Sequence, residues 1–148
     1  MAKHGVSGKR TGPERLHVTL EIVGHDVEQD RVDAACRAAD ALRFGPFEAR
    51  FDTVETFSAP SGPFVLGGGT GLDAVRALRQ ALAMAMADEG WRPQHAYQPH
   101  MTLAYDPRHR VRRTAIEPAA FEATEFALVR SHIGFSRHEV LRTWPLAG

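Results

Sequence analysis

The sequence predicts an α+β protein built on mainly antiparallel sheet. Two observations carry that prediction. Two stretches, Val27 to Arg43 and Leu72 to Glu89, hold apolar residues at helical spacing and end at glycine or proline. Around them lie short runs in which apolar and polar residues alternate, as on half-buried strands. The order is strand, helix, two strands, helix, strand, two strands, which is an α+β pattern.

Residues 1–14 contain Gly5, Gly8, Gly12 and Pro13 and lack hydrophobic periodicity, so they read as an arm. A single domain is expected over 15–148. Arg15 to Val23 reads as the first strand, closed by Gly24. The first helix places Val32, Cys36, Ala39 and Leu42 on one stripe, with Asp26 as its expected N-cap and Gly45-Pro46 as its stop. Phe47, Ala49, Phe51 and Thr53 alternate along a long strand that runs to Phe57. Ser58 to Pro63 is a turn, and Phe64-Val65-Leu66 a short strand. In the second helix, Val75, Leu78, Leu82 and Met86 form the buried stripe. A strand follows to about Tyr105, then a basic loop, Pro107 to Arg113. Phe121 to Phe135 reads as a strand or a bent pair, and His138 to Trp144 as the last strand.

The 148 residues suffice for a real core, and 43% hydrophobic with 24% charged residues is ordinary globular composition. Lys+Arg and Asp+Glu both total 18, so the formal charge is zero. That argues against coating long nucleic acid, which takes many phosphate-neutralising cations, but leaves room for one phosphate or one RNA end. Cys36 is the only cysteine and reads as a small apolar helix residue. No apolar run approaches a membrane span, and 1–13 has no hydrophobic signal segment. A cytoplasmic protein is expected, with no membrane partner.

One four-residue pattern occurs twice: His17-Val18-Thr19-Leu20 and His100-Met101-Thr102-Leu103. On a strand, alternate side chains share a face. His17 therefore accompanies Thr19 and His100 accompanies Thr102, while the apolar residues between them face the core. One neutral and one protonated imidazole can divide the proton transfers of a displacement at phosphorus. The hydroxyls suit non-bridging phosphate oxygens, and such chemistry requires no metal. A single His-x-Thr-Leu arises readily by chance. Two copies at comparable places in two halves do not.

These motifs in context, ERLHVTLEIVG and QPHMTLAYDP, resemble the paired signatures of the two-histidine (2H) phosphoesterase superfamily, and the LigT-like 2′-5′ RNA ligases within it. FEARFDTVETF, GPFVLGGGTGLDAVRALRQAL and RHEVLRTWPL extend the resemblance over about Glu14 to Leu146. It implies a bilobal fold: two mainly antiparallel sheets, helices packed outside, and a central cleft. It implies a cyclic phosphodiesterase that opens an RNA or nucleotide 2′,3′-cyclic phosphate to a 2′-phosphate without cofactor or metal, and 2′-5′ ligation as the reverse. The substrate would be an RNA 3′ end or a small cyclic nucleotide. His17 and His100 would be the catalytic acid and base, respectively, with Thr19 and Thr102 on phosphate. The alternative is a non-catalytic binder of RNA ends or nucleotides on the same fold.

Two departures stand out. Relatives usually carry a strand and a helix before the first motif, and only 16 residues precede His17, so that first strand and helix are expected to be missing. An open sheet edge would invite pairing with another chain, so monomer and homodimer are both open. Many relatives also have arginine five positions after the second histidine, where this chain has Tyr105, read here as a core residue.

Other candidates are weaker. Arg108 to Arg113 could meet RNA phosphates, though a solvated loop is the commoner meaning of such a run. Arg130 and His132 share a strand face and could reach the cleft, but a surface end of that strand explains them equally well. His4, His25, His95, His109 and His138 lack metal-ligand spacing, so no zinc is expected. Gly67-Gly68-Gly69-Thr70-Gly71 precedes a helix but lacks the Gly-Lys-Ser/Thr ending of a phosphate loop. Trp91, Tyr97 and Phe135 read as packing residues rather than base-stacking ones.

Overall fold

The computed structural model describes residues 5–6, 8–12, 15–92, 96–132 and 137–147. His4, His95 and Phe135 lie outside them. The fold is α+β, with strands β1 (Lys9–Arg10), β2 (Phe47–Thr56), β3 (Pro63–Gly67), β4 (Met101–Tyr105), β5 (Thr114–Ala123), β6 (Glu125–His132) and β7 (Arg137–Pro145), and helices α1 (Gln29–Asp40) and α2 (Asp73–Asp88). The strands form a five-stranded sheet, ordered β1-β4-β3-β2-β5, and the two-stranded sheet β6-β7. The pairs β1–β4, β3–β4, β2–β3 and β6–β7 are antiparallel.

The chain divides into two compact units. The first comprises Met1–Thr19, Ala49–Asp73 and Gln98–Phe121. Val6, Val54, Phe64 and Ala104 form its buried cluster, with Leu66, Leu103, Val111 and Ile116 packed against them. The expected arm takes part in this core. Val6 is 2% exposed, and Lys9 and Arg10 pair with Tyr105 and Ala104. The expected strand from Arg15 to Val23 shrinks to one isolated bridge, Val18 opposite Met101. Thr11 N–H still donates to Leu103 O (2.8 Å) on the β4 edge. Arg15 N–H donates to Gly12 O (2.9 Å), and the first motif meets β4 at Val18.

The second unit comprises Leu20–Glu48, Ala74–Tyr97 and Glu122–Gly148. Ala34, Ala35 and Ala38 of α1 pack with Leu82, Met86 and Trp91. Small residues on α1 let the larger side chains of α2 and Trp91 fill the space. Cys36 is half-buried, at the border of that face rather than on it. Asp26 is not the helix cap. It takes φ 48, in the left-handed region, and Glu28 occupies the N-cap without a side-chain bond. In α2 the expected stripe is buried as Val75, Leu78, Leu82 and Met86, joined by Arg79 and Ala83. Asp40, the last residue of α1, accepts from Trp144 Nε1 (2.8 Å) and Arg142 Nη2 (2.7 Å) of β7.

Candidate active site

The Val18–Met101 bridge fixes the geometry of both motifs. It is antiparallel, so its register sets His17 opposite Thr102, and Thr19 opposite His100. All four side chains then point to the sheet face away from Val18 and Met101. The apolar face continues outward: Met101 pairs with Leu66, and Leu66 with Val54, which is 4% exposed in the core. The two histidines occupy diagonal positions, for which Cα atoms lie roughly 7–8 Å apart. Each imidazole has a threonine hydroxyl directly across from it and another two residues along its own segment. His17 is exposed and His100 half-buried.

Both rings are tethered in the same way. Nδ1 of His17 donates to the carbonyl of Arg15 (2.6 Å), and Nδ1 of His100 to the carbonyl of Gln98 (2.8 Å). A carbonyl oxygen only accepts, so each Nδ1 carries its hydrogen and the lone pair of the neutral ring sits on Nε2. The i−2 carbonyl thus sets one tautomer twice, at equivalent places in the two motifs.

The same face carries residues from β2 and β3. β4 bulges at Leu103, because Phe64 pairs with Ala104 and Val65 with Thr102. Val65 therefore joins Thr102 on the motif face, with Glu55 next in the row. Thr53 pairs with Gly67. A side chain at Gly67 would meet Thr53 Oγ1 at 3.2 Å, so glycine leaves that spot to the threonine. Phe57 packs edge-on against the His100 ring, with centroids 4.8 Å apart and planes at 69°. Sequence reasoning passed over Phe57; its only signal was its place in the alternation with Thr53 and Glu55.

Other expectations resolve as follows. Tyr105 is 40% exposed rather than buried, opposite Lys9 and Pro63 in the sheet. The basic loop is exposed at Arg108 to Arg110, Arg112 and Arg113, as a solvated loop is, and the exposed Arg110 guanidinium also donates to the carbonyls of Phe57, Ala59 and Pro60 at 3.2, 3.2 and 3.4 Å. Three of the glycines at 67–71 serve close packing, while Gly69 faces open space. A Cβ on Gly71 would lie 2.6 Å from the Arg50 carbonyl oxygen, and one on Gly68 3.2 Å from it. His132 Nε2 pairs with Glu139 at 3.0 Å. Trp91 is buried, and Tyr97 lies under the Arg79 guanidinium, 5.2 Å from ring centroid to carbon. Burial pushes the Tyr97 hydroxyl up to about 12, outweighing the opposing pull of Arg79. Among the described residues, no group of three or more His, Cys, Asp or Glu is placed to hold a metal ion, and no helix is long and apolar enough to cross a membrane.

The profile of the 2′-5′ RNA ligase superfamily matches residues 6–134. The chain belongs to that superfamily. Its fold is that of the LigT structures. The crystal structure of E. coli LigT in apo form is similar with a TM-score of 0.77 and 23% identity, over 95% of this chain and 81% of that one. E. coli LigT complexed with 3′-AMP gives 0.75 at 24% identity, over 99% and 87%. TT0787 of Thermus thermophilus gives 0.68 at 24% identity, over 95% and 82%. At these identities the likeness establishes the fold. No curated protein matches the sequence.

Proposed function

We propose that this protein is a cyclic phosphodiesterase that hydrolyses RNA or nucleotide 2′,3′-cyclic phosphate to a 2′-phosphate. The observation that carries the reading is the Val18–Met101 register, with both imidazoles tethered through Nδ1 on the His/Thr face. Water attacks phosphorus in line with the bond to the 3′ oxygen. His100 Nε2 takes the water proton, and the P–O3′ bond breaks. His17, protonated, delivers its proton to the leaving 3′ oxygen. The product keeps a 2′-phosphate and a free 3′-hydroxyl, and proton exchange with solvent resets both rings. Thr19 and Thr102 donate to the non-bridging oxygens. These groups supply acid, base and charge stabilisation from side chains alone, so no metal enters the scheme. With an RNA 5′-hydroxyl in place of water as the nucleophile, the same steps make a 2′-5′ linkage and leave the 3′-hydroxyl free. That relatives such as E. coli LigT crystallise with 3′-AMP supports a nucleotide-sized ligand here.

The test is hydrolysis of 2′,3′-cyclic nucleotides and of RNA with a cyclic end, with chelator present. Replacing either His17 or His100 with alanine lowers kcat by on the order of 100-fold or more, and the wild-type pH–rate curve is bell-shaped. Full activity in either variant rejects the acid–base assignment. Saturable nucleotide binding without turnover by the wild-type protein would instead favour the non-catalytic binder.

A further inference from the structure

We propose that Phe57 is a positioning residue for His100, held in place by Arg110. The inference rests on the reading of His100 as the base and deepens it. One hydrogen bond, from Nδ1 to the Gln98 carbonyl, selects the tautomer only while the ring stays aligned with that carbonyl, and by itself it leaves the ring free to swing out of alignment. The Phe57 ring, 4.8 Å away and steeply inclined, abuts the flank of the imidazole and removes that freedom. Such control matters because a base displaced by about 1 Å from the attacking water loses a large part of its advantage.

Phe57 is itself fixed from both sides. Its N–H donates to Pro63 O at 2.9 Å, and its carbonyl accepts from Arg110 Nη1 at 3.2 Å. Arg110 also gathers the carbonyls of Ala59 and Pro60, so one planar cation closes the whole turn after β2. Its own loop is anchored by Asp106, which is 5% exposed and accepts from the N–H groups of Arg108 (3.0 Å) and His109 (3.2 Å). A path of contacts therefore runs from a buried carboxylate through the Arg110 loop and Phe57 to the His100 ring. All of it lies within the first unit.

The experiment pairs steady-state kinetics on a 2′,3′-cyclic nucleotide with nitrogen-resolved NMR of the imidazoles. Wild-type His100 shows one tautomer, protonated on Nδ1. Phe57→Leu keeps apolar bulk but lacks the ring. It mixes the His100 tautomers and lowers kcat about tenfold or more, with KM little changed and the His17 signals unmoved. Phe57→Tyr restores both readouts. Arg110→Lys keeps the charge, loses the planar fork, and moves kcat and the His100 signals the same way by a smaller factor. A Phe57→Leu protein with wild-type kcat and a single His100 tautomer overturns the proposal, as does a Phe57→Tyr protein as damaged as Phe57→Leu. Should the wild-type protein not turn over at all, the proposed function fails on its own, and the tautomer of His100 in Phe57→Leu still decides this inference.

Discussion

The ion pair between Glu21 and Arg79 offers the sharpest test of how the second unit is held. Both side chains are 8% exposed, and Arg79 Nη2 stands 3.3 Å from Glu21 Oε2. That oxygen is buried and accepts no hydrogen bond among the described residues, so it depends on the charge of Arg79. Glu21→Gln takes from the buried Arg79 guanidinium the carboxylate that faces it. Removing one partner of such a pair costs about 3–5 kcal/mol. A domain of this size has a total stability of roughly 5–15 kcal/mol, so the loss is a large share of it. At about 2–4 °C per kcal/mol the midpoint falls by roughly 6–20 °C. Replacing both partners, as Glu21→Met with Arg79→Met, removes both buried charges together and recovers most of that loss. The assay is urea and thermal unfolding of wild type, both single variants and the double. The reasoning is refuted if Glu21→Gln costs less than about 1 kcal/mol, or if the double variant loses as much as the two singles combined.

Two further outcomes follow. Tyr97, with its hydroxyl pushed up to about 12 against an ordinary 10.0, stays protonated in the folded chain while the unfolded chain ionises. The unfolded state then binds fewer protons, so stability falls as pH rises between those two values, and Phe at position 97 removes that alkaline slope in pH-stepped denaturant melts. Gly62 has φ 64, and a Cβ there would sit 2.5 Å from the Asp106 carbonyl oxygen and 2.7 Å from Pro107 Cα. Gly62→Ala is therefore expected to cost about 1–3 kcal/mol in chemical denaturation, since the left-handed backbone and the contact with backbone atoms both oppose the methyl group. An unchanged midpoint would contradict it.

Much of the fold was legible because it is written in local periods. The alternation from Phe47 marked β2, and the spacing of Val75, Leu78, Leu82 and Met86 marked the buried face of α2. β5 was hidden for a physical reason. Pro118 interrupts a run poor in β-branched residues, and proline argues against a strand unless the strand lies at an edge. β5 is the last strand of its sheet, where a missing donor costs little. The first motif strand failed in the opposite sense. Its apolar alternation is good, but among the described residues it meets β4 in a single bridge, at Val18. Likewise the exposure of Tyr105 is not written in its neighbours, since a bulge at Leu103 changes which residues share a face. The pairing of each histidine with its threonine was readable from the two-residue period. Phe57 and Arg110 were not, because 43 and 53 residues separate the partners of those contacts.

That one bridge carries the site explains why the apolar residues of the motif matter as much as the polar ones. With Val18 opposite Met101, four polar side chains gather on one face and the apolar row continues through Leu66 to Val54. A slip of one residue would turn His17 and Thr19 toward that core and expose Val18. Burying an imidazole and a hydroxyl without partners costs several times what burying valine gains, so the wrong register is strongly disfavoured. The register is then fixed by transfer energies in Val18, Met101, Leu66 and Val54, not by any contact between the histidines themselves. The diagonal placement of the two histidines is a by-product of hydrophobic burial on the opposite side of the sheet.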